Sequence, residues 1–190
     1  MLRNIGRADD GSGSDAVAMG VLLIDNLATP PIVGHNTISN SSGTGVWDLN
    51  AIFPSPGPVI EQNKILNCEV GITVTGALGP RTGVEIRDNV ISQTGDMGSG
   101  QSCIVAFQLS DSTIRANRFR GEHAGPMVML ASATNCMIVK NRDRRSTIPP
   151  ECPTYYLDVS SSGNTIRGSS GTAVDNGTNN TIHLPGGGTP

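Results

Sequence analysis

One short phrase recurs along this chain and limits its fold more than any other feature: an apolar residue, two variable ones, Asn, one variable residue, then an apolar one. It reads Val33-Gly34-His35-Asn36-Thr37-Ile38, Ile60-Glu61-Gln62-Asn63-Lys64-Ile65, Ile86-Arg87-Asp88-Asn89-Val90-Ile91 and Ile114-Arg115-Ala116-Asn117-Arg118-Phe119. A fifth copy, Ile138-Val139-Lys140-Asn141-Arg142-Asp143, loses its last apolar residue. The asparagines follow one another at 27, 26, 28 and 24 residues. Asn164-Thr165-Ile166 and Asn180-Thr181-Ile182 read as weaker echoes of the same phrase. A period of this length means a stack of near-identical supersecondary units, none able to bury its apolar face alone.

A second phrase interleaves with the first. Gly20-Val21-Leu22-Leu23-Ile24, Gly45-Val46-Trp47-Asp48-Leu49 and Gly71-Ile72-Thr73-Val74 open on Gly and an apolar residue; Cys103–Phe107, Met127–Leu130, Tyr155–Val159 and Gly171–Val174 continue the series. Each unit therefore holds three short β-rich runs, and no stretch sustains an apolar period of 3.6. The spacing predicts an all-β, right-handed single-stranded parallel β-helix of about seven coils. Equivalent residues stack about 4.8 Å apart, so Val, Ile and Leu form buried columns. Asn suits the turn on two grounds: it tolerates left-handed dihedrals, and its amide can bond its neighbour one coil on.

Composition fits such a narrow interior. Aromatics are 3%, charged residues 15%, and Gly (24) and Pro (12) are plentiful. A net charge of −3 offers no global attraction to nucleic acid. No apolar run reaches membrane-spanning length, and no apolar signal segment opens the chain. Cys68, Cys103, Cys136 and Cys152 lack zinc-site spacing; buried free thiols or a Cys136–Cys152 disulfide both fit them. Neither a metal nor a cofactor is expected.

The Gly-apolar and Ile-x-x-Asn-x-Ile repeats resemble the right-handed β-helix superfamily that includes pectate lyases, polysaccharide epimerases and phage tailspikes, over residues 17–184. Residues 1–16 are expected to be the remnant of an earlier coil and 185–190 a flexible tail. The resemblance implies an extracellular or virion protein directed at a polysaccharide or lipopolysaccharide, as binder or depolymerase, with a structural virion or adhesion module as the alternative. A homotrimer or larger virion assembly, as in tailspikes, is one expectation for covering apolar columns.

In such enzymes the sheet carrying the Gly-apolar strand holds the cleft, and loop insertions flank that strand here: 51–58, 76–83, 93–100 and 144–151. Its candidate catalytic carboxylates are Asp25, Asp48, Asp158 and Asp175, with Glu69 just ahead of the third strand. With Trp47 and Leu49 turned inward, Asp48 would face out, avoiding an unpaired buried charge. Asp25 would then lie roughly 8 Å away by backbone spacing, a separation that suits an acid and a base flanking a water. Trp47 is either core or a sugar platform, Tyr156 must face opposite to Tyr155, and Phe107 and Phe119 are expected in the core. Seven of thirteen positive charges fall between Arg115 and Arg145. Lys64, Arg118 and Arg142 share one repeat position, and Arg87 and Arg115 another. Stacked like charges either splay into solvent or meet an anion; Arg115, Arg118 and Arg142 are candidate contacts to an acidic glycan.

Overall fold

Because each coil is too short to fold alone, the architecture follows from what stacks on what. The computed structural model describes residues 2–3, 20–24, 29–41, 43–50, 56–77, 79–93, 102–122, 125–147 and 152–185. Within them the chain winds into a parallel β-solenoid with three principal sheets. Sheet B contains the Gly-apolar runs: Val21–Ile24, Thr44–Asn50, Val70–Gly76, Ile104–Phe107, Val128–Ala131, Tyr155–Leu157 and Ala173–Asp175. Sheet C precedes the repeated Asn: Ile32–Gly34, Val59–Glu61, Glu85–Arg87, Thr113–Arg115, Met137–Val139, Thr165–Arg167 and Thr181–His183. Sheet A follows it: Leu2–Arg3, Thr37–Ser39, Lys64–Leu66, Val90–Gln93, Arg118–Glu122 and Arg142–Thr147. The chain passes from B to C to A and back to B, one coil per circuit. Sheets B and C are seven strands deep and sheet A six. No helix occurs among the described residues.

Register makes the core. In sheet C, Val33, Ile60, Ile86, Ile114, Ile138, Ile166 and Ile182 are successive partners. In sheet A, Ile38, Ile65, Ile91 and Phe119 do the same, and all four are buried. The missing apolar residue of the fifth copy is Asp143, directly beneath Phe119. Thr154 Oγ1 donates to its Oδ2 at 2.9 Å, so the polar end of the column is hydrogen-bonded.

Between sheets C and A the asparagines form one file. The backbone N–H of Asn36 donates to Oδ1 of Asn63 (3.0 Å), Asn63 to Asn89 (2.9 Å), Asn89 to Asn117 (3.0 Å) and Asn117 to Asn141 (2.9 Å). Each Nδ2 from Asn63 to Asn141 also donates to a carbonyl of the preceding coil, at Val33, Ile60, Ile86 and Ile114. The left-handed residue is not the Asn but the one before it: His35, Gln62, Asp88, Ala116 and Lys140 have φ of 53 to 59°. Sequence reasoning assigned both duties to Asn; the structure gives it only the amide ladder.

Asn164 and Asn180 are a second correction. They stand at the other corner, before sheet C, where Asn164 Oδ1 accepts from Cys136 N (2.9 Å) and Asn180 Oδ1 from Asn164 N (2.8 Å). The main file ends instead on Ser169, whose Oγ accepts from Asn141 N at 3.1 Å. The glycine that opens the early sheet B strands is required by close approach: a Cβ on Gly45 would lie 2.7 Å from the Gly71 carbonyl oxygen and 2.8 Å from Ile65 Cγ2. All four cysteines are free thiols, so the Cys136–Cys152 bridge is not formed. The glycine-rich tail from 186 onward and the 93–100 and 144–151 insertions lie largely outside the described residues.

Candidate functional site

Strand alternation sends every second residue of sheet B outward. Two columns point in, apolar except at Asp48: Val21, Val46, Ile72, Ile104, Val128 and Tyr155, and then Leu23, Asp48, Val74, Ala106, Leu130 and Leu157. The outward columns are Leu22, Trp47, Thr73, Val105, Met129, Tyr156 and Val174, beside Ile24, Leu49, Thr75, Phe107 and Ala131. None of these outward residues is charged. Leu22, Ile24 and Phe107 are 41%, 50% and 40% exposed, so large apolar side chains meet solvent at both the first and the fourth coil of this face. Phe107, expected in the core, is thus on the surface, whereas Phe119 is fully buried.

Trp47 faces outward too, half-exposed, and its indole N–H donates to Thr75 Oγ1 at 3.3 Å, fixing the ring over the next coil. Tyr155 is buried and Tyr156 faces out, where its hydroxyl oxygen accepts from Asn176 Nδ2 at 3.2 Å. Burial raises the Tyr155 hydroxyl well above the usual phenolic range.

The same alternation reverses the expectation for Asp48. It points inward and is 1% exposed, while Trp47 and Leu49 face out. Its charge is met by Arg81, 2% exposed: Nε donates to Oδ2 at 2.7 Å and Nη2 to Oδ1 at 2.9 Å. A two-point guanidinium–carboxylate pair of this kind is what allows both charges inside. Arg81 comes from one of the insertions, on the short strand Arg81–Thr82 that pairs with Leu109–Ser110. Sequence reasoning missed it because the partner lies 33 residues away and carries no repeat signal.

The remaining described carboxylates are engaged near the turns. Asp158 Oδ1 accepts from Ser132 N (3.0 Å), Ser160 N (3.1 Å) and Ser161 Oγ (2.8 Å), closing the turn after its strand. Asp175, paired in register with Leu157, accepts at Oδ1 from Gly177 N (2.9 Å) and Asn180 Nδ2 (2.8 Å). Glu69 sits half-buried just before Val70–Gly76, its N–H donating to the Gly43 carbonyl at 3.0 Å. Asp25 lies outside the described residues. Among the described residues no three His, Cys, Asp or Glu gather as a metal site. Burial pushes the Cys136 thiol up to about 11, leaving it protonated and inert near neutral pH.

The arginines divide between two faces. On sheet C, Arg87 and Arg115 stack in register, but glutamates are interleaved with them. Arg87 Nη2 lies 2.5 Å from Glu61 Oε2, and Arg115 Nη2 lies 2.8 Å from Glu85 Oε1. Arg115, a candidate glycan contact, is therefore already paired. On sheet A, Arg118 stacks on Arg142 and Arg120 on Arg144, and all four are exposed. Arg120 and Arg144 stood among the clustered basic residues of the sequence; their place two residues past Arg118 and Arg142 puts all four on one face.

The profile for the right-handed β-helix region matches residues 19–143. Two solved structures of a Streptococcus pneumoniae surface adhesin, PfbA, share the architecture. One has a TM-score of 0.50 at 16% identity and covers 80% of this chain and 46% of the adhesin. The other has a TM-score of 0.51 at 17% identity, with 80% and 44% covered. At such identities the likeness concerns the fold, and the chain spans less than half the length of either structure. No curated protein matches the sequence.

Proposed function

The chain belongs to the right-handed β-helix family, and from that premise we propose that it is a non-catalytic surface-adhesion module which holds carbohydrate on the outer face of sheet B. The observation that carries this reading is the use to which the carboxylates are put. Glycoside hydrolysis needs two carboxyl groups facing one cleft. Asp48 faces the core and is held by Arg81, while Asp158 and Asp175 close turns of their own coils. What the face does offer is a neutral surface of Trp47, Tyr156, Phe107 and threonine hydroxyls. Ring faces of this kind cover the apolar side of a sugar while nearby hydroxyls bond its edge. The architecture shared with a pneumococcal surface adhesin supports this reading, and with it an extracellular surface as the proposed location.

The test has two arms. Incubation with a panel of capsular and lipopolysaccharide glycans should release neither reducing ends nor the ultraviolet absorbance of unsaturated sugar ends. Retention of the protein on at least one immobilised glycan should fall tenfold or more in a Trp47→Ala/Tyr156→Ala variant that unfolds like the parent. Oligosaccharide release that Asp25→Asn abolishes would make the module a depolymerase and end this reading.

A further inference from the structure

A second face of the solenoid has a chemistry the first lacks. On sheet A, the residues flanking the inward Ile38, Ile65, Ile91, Phe119 and Asp143 point to solvent: Thr37 and Ser39, Lys64 and Leu66, Val90 and Ser92, Arg118 and Arg120, Arg142 and Arg144. Five of these are cationic and none is acidic. We propose that Arg118, Arg120, Arg142 and Arg144 form a binding site for an acidic polysaccharide, one bearing carboxylates or sulfate esters, separate from the neutral face of sheet B.

The register sets the arrangement. Arg118 is the direct partner of Arg142 and Arg120 of Arg144, so the four make a two-by-two block. Its sides are about 4.8 Å between coils and roughly 6.6 Å along a strand. Stacked like charges disfavour a sheet unless something compensates them. On sheet C the compensation is built in, by Glu61 and Glu85 against Arg87 and Arg115. On sheet A, no described residue forms an ion pair with any of the four. Acids are not scarce: the chain has 16 Asp and Glu and a net charge of −3. Asp143, between Arg142 and Arg144 in sequence, lies in the inward column under Phe119 and is bonded by Thr154.

A plainer role for charge on a strand is to keep an open sheet edge from pairing. That would explain Arg142 and Arg144, since Arg142–Thr147 is the last strand of its sheet. It does not explain Arg118 and Arg120, because Arg118–Glu122 is paired on both sides. The choice of arginine matters as well: its planar fork bonds carboxylate or sulfate at two points, which lysine cannot do. A flat block of evenly spaced forks suits a linear polymer with regularly repeated anions, each weak contact raising the effective concentration for the next. Nucleic acid is disfavoured because no described outward residue of sheet A is aromatic, so bases would have nothing to stack on.

Binding of the whole chain would be measured on immobilised polygalacturonate, dextran sulfate, neutral dextran, single-stranded DNA and anionic phosphatidylglycerol vesicles, at low and physiological salt. The first two separate carboxylate from sulfate as the preferred anion. We expect binding to at least one of them, none to neutral dextran, and a steep loss with salt. An Arg118→Gln/Arg120→Gln/Arg142→Gln/Arg144→Gln variant should bind at least tenfold more weakly with a shallower salt slope. Arg167→Gln, an exposed arginine of sheet C, should stay within twofold of the parent. Trp47→Ala/Tyr156→Ala should leave this binding intact, which separates the present proposal from the one for sheet B. If the fourfold variant fails to fold, the pairs Arg118→Gln/Arg142→Gln and Arg120→Gln/Arg144→Gln should each lose threefold or more. Undiminished affinity in folded variants, or no preference for acidic over neutral glycan, overturns the proposal. So does tighter binding to DNA or vesicles than to either acidic glycan.

Discussion

At the level of single residues, the pair Asp48–Arg81 shows how a surface expectation becomes a core fact. Alternation allowed two phases for Gly45-Val46-Trp47-Asp48-Leu49, and the cost of an unpaired buried carboxylate favoured Asp48 outside. The molecule takes the other phase because Val46 continues the column of Val21 and Ile72, and Arg81 meets the charge at 2.7 Å. Removing one partner should hurt more than removing both. Arg81→Met would take the guanidinium from a buried carboxylate and should destabilise by about 3–5 kcal/mol, whereas Arg81→Met/Asp48→Leu should recover most of that loss. Urea unfolding of the two single variants and the double variant reads the coupling directly. Equal stability of Arg81→Met and the double variant would show that the pair adds nothing specific.

At the level of elements, the asparagine file joins coils that otherwise touch only through strand ladders and apolar columns. Asn89 is fully buried, accepts from Asn63, and donates to Ile60 O and Asn117 Oδ1. Asn89→Ala would remove the acceptor of the Asn63 backbone N–H and the donor to the Ile60 carbonyl, both in the preceding coil, each loss costing about 1–3 kcal/mol. The expected loss is about 3 kcal/mol or more. Asn89→Ser should be milder, since Ser169 already supplies the acceptor at the end of the file. Asn36→Ala, at the half-buried start, should cost least. Chemical denaturation of the three variants checks that order, and a reversed ranking would mean the file is not what couples the coils. The repeat was legible because its asparagines recur at one place. The second ladder, through Asn164 and Asn180, was misfiled because a triplet cannot tell one corner of a coil from another.

At the scale of the whole molecule, a solenoid separates stability from function. Inward columns and turn ladders hold the coils, and outward positions can change with little effect on folding. Sheet B presents neutral apolar and aromatic residues, sheet C alternating charges, and sheet A a block of arginines that form no ion pair with any described residue. That division predicts a salt effect. Added sodium chloride should raise the thermal midpoint of the parent by screening the Arg118, Arg120, Arg142 and Arg144 block. The fourfold Gln variant should start at an equal or higher midpoint and respond less. Calorimetry at low and high salt distinguishes this from a block whose charges do not interact.

The amino-acid sequence by itself determined that coils stack in parallel, where the Ile columns and asparagine file run, and that basic residues repeat at equivalent places. These are periodic properties, and a period survives in one dimension. Only the tertiary structure decided which way Asp48 and Trp47 face, that Arg81 reaches Asp48, and that Arg115 is neutralised by Glu85. Each of those outcomes rests on a contact between residues about thirty positions apart, set by the register of one coil on another. No local preference encodes such a pairing, because the energy that chooses it exists only once the coils have met.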